Sequence, residues 1–129
     1  LNATLVLGKV PTVINMATAT GTGTGTITSP TTALPAGTLI KFVVCRVSPA
    51  LAGAGLTTFS LGDGVDADRW GTTLAIALNT TINVANYTTV SPAYQIAAGS
   101  LVLTAAAGVL SSGILTCDTI LEKVIPIGS

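Results

Sequence analysis

The chain has no histidine, and only five Lys or Arg and five Asp or Glu among its 129 residues. Without histidine there is no imidazole general base and no His-ligated zinc. Charged residues make up 8% of the chain, against about 25% in an ordinary soluble domain. The basic residues Lys9, Lys41, Arg46, Arg69 and Lys123 are scattered, which argues against direct nucleic-acid binding, since phosphate contacts want local positive charge. Aromatics are 4%, too sparse for a broad sugar-stacking groove. No apolar run reaches the ~20 residues needed to span a bilayer. Residues 93–110 come closest, and Gln95, Gly99, Ser100, Thr104 and Gly108 interrupt them. No charged amino-terminal segment followed by a signal-like apolar stretch is present.

What remains is 49% hydrophobic residues, a formal net charge of zero and 22 threonines. A free monomer normally keeps a charged surface. Two readings reconcile that with this composition: other subunits cover much of the surface, or threonine hydroxyls keep it wet. The length suits one domain with a real core. Threonine, valine and isoleucine favour strands, and no run of helical length carries a convincing apolar stripe.

Along the chain, LNATLVLGKVPTVINM reads as two short apolar pieces broken at Gly8 and Pro11, and ATATGTGTGTITSPTT as a period-two edge strand or extended arm. LPAGT at 34–38 is a turn signal. LIKFVVCRV follows as the clearest strand, with Ile40, Phe42, Val44 and Arg46 on one face and Lys41, Val43, Cys45 and Val47 on the other. LTTFSLGDG is a strand entering a charged loop, and WGTTLAIAL fits a strand or a short helix. TINVANY is a weak strand, and SPAYQIAAGSLVLTAAAG holds two short ones. The last long strand opens after Gly113 and closes at Pro126, with Leu115, Cys117, Thr119 and Leu121 sharing one face. Cys45 and Cys117 sit in β-branched runs and match no metal motif. They read first as buried free thiols, with a disulfide between neighbouring strands as the alternative. Short strands separated by Gly, Pro, Asn and Ser turns predict an all-β, single-domain β-sandwich or jelly roll with extended terminal arms. The expected division is an amino-terminal arm or edge strands at 1–33, a core at 34–122 and a carboxy-terminal tail at 123–129.

The stretch SLGDGVDADRWG at 60–71 gathers three aspartates, one arginine and the only tryptophan. Calcium is one reading, because Asp63, Asp66 and Asp68 offer hard oxygen ligands. The spacing lacks the later bidentate Glu of the common calcium loop, and Arg69 competes. Glycoside hydrolysis by paired carboxylates is another, but nothing fixes their separation and no nucleophile motif accompanies them. The third reading is structural. Asp and Gly form turns, Arg69 pairs with an aspartate and rigidifies the loop, and Trp70 folds over the core or anchors an interface. The expectation is therefore a structural corner or interface at Asp63, Asp66, Asp68, Arg69 and Trp70, with no catalytic residues, no metal and no cofactor.

LPAGTLIKFVVCRV at 34–47, LTTFSLGDGVDADRWG at 56–71 and SPAYQIAAGSLVLTAAAGVLSSGILTCDTI at 91–120 together resemble small virion structural proteins of tailed bacteriophages. The resemblance covers roughly residues 34–122, and its matching positions are Gly62, Asp63 and Gly64 with Asp68, Arg69, Trp70 and Gly71. It implies a non-enzymatic, β-rich capsid cement or decoration protein on the outer surface of the capsid. Its partner would be the major capsid protein, and its own state a homo-oligomer, trimer or dimer. A head- or tail-fibre module that binds a host glycan, or another subunit of a shell or tube, is the alternative.

Overall fold

The structure is a computed structural model that describes residues 4–30, 33–84, 93–95 and 98–125. Among the described residues, nine strands make two antiparallel sheets. The first sheet holds β1 (Thr4–Asn15), β3 (Thr38–Val47), β6 (Thr81–Val84), β7 (Ala93–Gln95) and β9 (Ile114–Ile125) in the order β1-β9-β3-β6. β7 pairs with Thr38–Ile40 and β6 with Val43–Arg46, so the two short strands share one side of β3. The second sheet holds β2 (Thr26–Thr28), β4 (Thr58–Gly62), β5 (Gly71–Ala75) and β8 (Val102–Ala105) in the order β2-β8-β4-β5. Both sheets feed one hydrophobic cluster. Ile14, Ile40, Val43, Val47, Leu115 and Leu121 enter it from the first sheet, and Ile27, Phe59, Leu61 and Leu103 from the second.

Period-two alternation explains most of this. In β9 Leu115, Cys117, Thr119 and Leu121 are buried while the residues between them are partly or fully exposed, the pattern of a strand with one face on a core. β1 runs unbroken through Gly8 and Pro11. Its position at the sheet edge reconciles it with Pro11, because a proline without an N–H is tolerated where one side of the strand lacks a partner. The first two short pieces expected from the sequence are thus one strand. Residues 123–125, expected in a tail, are strand: the β1–β9 ladder extends to Thr4↔Ile125. Gly71–Ala75 is a strand and not a helix.

Two further corrections concern β3. Its faces do not alternate cleanly, because the β3–β9 register shifts between Ile40 and Phe42. A bulge places one extra residue on one strand and inverts parity beyond it. Ile40 and Val43 are therefore both buried, while Lys41 and Phe42 are partly exposed. The cysteines are not free thiols. Cys45 and Cys117 lie directly opposite each other on β3 and β9 and form a disulfide inside the core.

Candidate functional site

The charged stretch is the connection between β4 and β5 at one end of the second sheet. It begins at Gly62, where a Cβ would lie 2.0 Å from the Asp66 carbonyl oxygen, so only glycine fits there. Asp63 turns its carboxylate into the loop. Its Oδ1 accepts the Val65 N–H at 2.8 Å and the Asp66 N–H at 2.7 Å. Its Oδ2 accepts Arg69 Nε at 2.8 Å. The Asp63 N–H donates to the Asp66 carbonyl at 3.0 Å. The chain rejoins the sheet when the Trp70 N–H donates to the Leu61 carbonyl at 2.9 Å.

These bonds account for the local fold in physical terms. An aspartate accepting backbone N–H groups closes the turn in place of a ladder, and a charge-assisted arginine contact locks it. Asp63 is 7% exposed, so the pair is shielded from screening. Trp70 is fully buried in the hydrophobic cluster. Among the described residues its indole Nε1 has no hydrogen-bond partner. The ring faces this chain's own core and presents nothing outward. Val65, at the tip, is 92% exposed.

Asp66 and Asp68 form a second, half-exposed pair. A side-chain hydrogen bond from Asp66, then partial desolvation, then the charge of Asp66 hold the Asp68 carboxyl above its usual range. Asp63 is spent on Arg69 and on two backbone N–H groups. The three aspartates do not converge as ligands, and no group of three or more His, Cys, Asp or Glu able to hold a metal occurs among the described residues.

Beyond the corner, the two sheets present unlike outer surfaces. The second sheet turns Thr26, Thr28, Thr58, Ser60, Thr72 and Thr104 outward, with Ser60 Oγ and Thr72 Oγ1 hydrogen-bonded at 3.2 Å. The first sheet turns out Leu7, Pro11 and Val13 from β1, Phe42 and Val44 from β3, and Ile120 from β9. This apolar cluster is not announced by any one stretch of the sequence. Its signal in β1 was the alternation Leu7, Lys9, Pro11, Val13, hidden by treating Gly8 and Pro11 as breaks. The Asn79 side chain, in one of the sequence's Asn-x-Thr triplets, accepts a hydrogen bond from Arg46.

Neither a family model nor a curated protein matches this sequence. The fold has solved counterparts. A chain of the acidic stable capsid structure of Helicobacter pylori bacteriophage KHP30 is similar with a TM-score of 0.58 and 11% identity, over 98% of this chain and 99% of that one. A chain of the cyanophage Pam1 capsid asymmetric unit is similar with a TM-score of 0.46 and 19% identity, over 97% of this chain and 86% of that one. At 11% identity the likeness to the KHP30 chain is one of fold.

Proposed function

We propose that this chain is a non-enzymatic jelly-roll protein of a phage particle, a cement or decoration protein that binds and bridges major capsid protein subunits on the outside of the head. The observation that carries the reading is the fold likeness to a chain of the KHP30 capsid structure, which runs over nearly the whole of both chains. A likeness of that extent relates one small domain to another and not to a part of a larger shell subunit. The jelly-roll designation rests on strand order. With β6 and β7 sharing one position, β1-β9-β3-β6 beside β2-β8-β4-β5 is the order that two Greek keys wound together produce. Low overall charge and the exposed Leu7, Val13 and Val44 on one outer face support a life spent in contact with other subunits.

The mechanism needs no chemistry. A shell fails where its capsomers part, and a small domain seated across a seam adds buried area there. Apolar burial stabilises by roughly 25 cal/mol per Å² before the costs of association, and repetition over the shell multiplies a modest contact. The fibre alternative wants aromatic rings exposed for sugar stacking, and burial of Trp70 and Phe59 removes two of the chain's five aromatics from that role. Tyr87 lies outside the described residues.

Cryo-electron microscopy of the particle that carries this chain tests the reading. Regular copies on the outer shell, bridging neighbouring capsomers, are the expected result. Density of this size confined to a spike or tail tip would overturn it in favour of the fibre module.

A further inference from the structure

We infer that the outer face of the five-stranded sheet packs against the same face of a second copy of this chain. Three of the exposed large hydrophobic residues lie on that face: Leu7 at 69%, Val13 at 55% and Val44 at 36% exposure. Partly exposed Phe42 and Ile120, paired across β3 and β9, join them. The outer face of the second sheet exposes threonine and serine hydroxyls and, of the large hydrophobic residues, only half-exposed Val102 among the described residues. The contrast lies within one molecule and does not depend on an average composition.

The face is complementary to itself in shape. The ladders set Val13, Thr116, Arg46 and Thr81 in one row across β1, β9, β3 and β6. Val13 stands up at the β1 end of that row. At the other end is a groove of about 550 Å³ lined by Val44, Arg46, Thr81, Thr116 and Asp118. A two-fold axis parallel to the strands and midway along the row carries Val13 of each copy over the groove of the other. Such an isologous contact makes every pairing twice.

The face carries both signs of charge. It carries Lys9 and Arg46 against Asp118, and its remaining ion pair, Lys41 Nζ to Glu122 Oε1 at 3.1 Å, is closed within the chain. The same two-fold sets Arg46 of one copy over Thr116 of the other, flanked by that copy's Arg46 one strand away and its Asp118 two residues along β9, so charge does not decide the pairing. A face with one sign of charge would repel its own copy. The area suffices as well. Four strand positions ~4.8 Å apart and about ten residues long give roughly 700 Å² per copy, close to the ~800 Å² that each partner contributes to a standard stable interface. Sheets stacked face to face with strands within about 30° of each other are an ordinary packing mode.

Sedimentation equilibrium on the purified chain tests this without any particle, so its outcome is separate from that of the cement reading. The expected mass is twice the 12.7 kDa chain. Val13→Arg and, separately, Val44→Arg should reduce it to that of one chain while leaving the β-sheet circular dichroism and the melting temperature in place. Thr26→Arg, on the hydroxyl face, should leave the doubled mass unchanged. A wild-type mass of one or three chains overturns the inference. So does a doubled mass that survives in a folded Val13→Arg variant, which puts the contact on another surface.

Discussion

Asp63 accepts two backbone N–H groups through one oxygen and the Arg69 guanidinium through the other. Truncating it leaves those donors without their acceptor in a largely buried setting. Asp63→Ala should therefore cost about 2 to 4 kcal/mol, the range for breaking a buried, hydrogen-bonded ion pair. Urea unfolding measures it, and a midpoint equal to wild type would show that the loop is held by something else. Asp63→Asn keeps an oxygen for the backbone and should cost less. The Asp66–Asp68 pair behaves oppositely. Because the folded state holds the Asp68 proton more tightly than the unfolded chain does, this group contributes stability at acid pH. That contribution is complete below the unfolded carboxylate pKa and is lost as pH rises through the raised folded value. Asp68→Asn should be more stable than wild type at neutral pH, with the difference closing on acidification. Unfolding midpoints across that range check the sign, and a gap that widens towards acid would show that Asp66 does not act on Asp68 as the geometry implies.

At the scale of elements, the disulfide joins the two central strands of the larger sheet across a sequence separation of 72 residues. Closing a loop of that length restricts the unfolded chain, which in the loop-entropy account is worth about 4 kcal/mol. The Cys45→Ala, Cys117→Ala double variant should lose stability of that order; a loss below about 1 kcal/mol would mean the sheet alone fixes these strands. This bond also marks where reading the sequence stops. The alternation in β9 and its start after Gly113 were legible, because both follow from local chemistry; the expected stop at Pro126 lies outside the described residues. Also legible were the turn at Pro35 and Gly37 and the pairing of one aspartate, Asp63, with Arg69. That Cys45 faces Cys117 depends on which strands neighbour each other and in what register. Both are set by the closing of two sheets on one core and not by either cysteine's neighbours in sequence. The bulge at Lys41 belongs to the same class, since nothing in IKFVV announces a parity change. The edge strand β1 was obscured for a different reason: Pro11 signals a break when β1 is read alone, and becomes unremarkable only once the strand is known to sit at an edge.

For the molecule as a whole, the composition posed a choice between a surface covered by other subunits and one wetted by threonine. The two sheets differ in what they turn outward. On the first sheet's outer face Leu7, Pro11, Val13, Phe42, Val44 and Ile120 are interleaved with Lys9, Arg46, Thr116 and Asp118, whereas threonine and serine hydroxyls, with Val102 among them, dominate the second. A hydroxyl surface keeps a protein hydrated without net charge, and here it does so on a sheet whose edge strands β2 and β5 are short, which limits edge-to-edge association. If that sheet faces water, it should accept charge freely. Thr26 and Thr104 lie directly opposite each other on β2 and β8. Thr26→Lys with Thr104→Glu places opposite charges across the strands, an arrangement worth about 0.2 to 1 kcal/mol. The double variant should fold with equal or slightly greater stability and keep the wild-type mass in solution. Attachment to a particle, measured as copies retained per shell, should also be unchanged. A loss of attachment with folding intact would mean that the hydroxyl sheet is the surface seated on the shell.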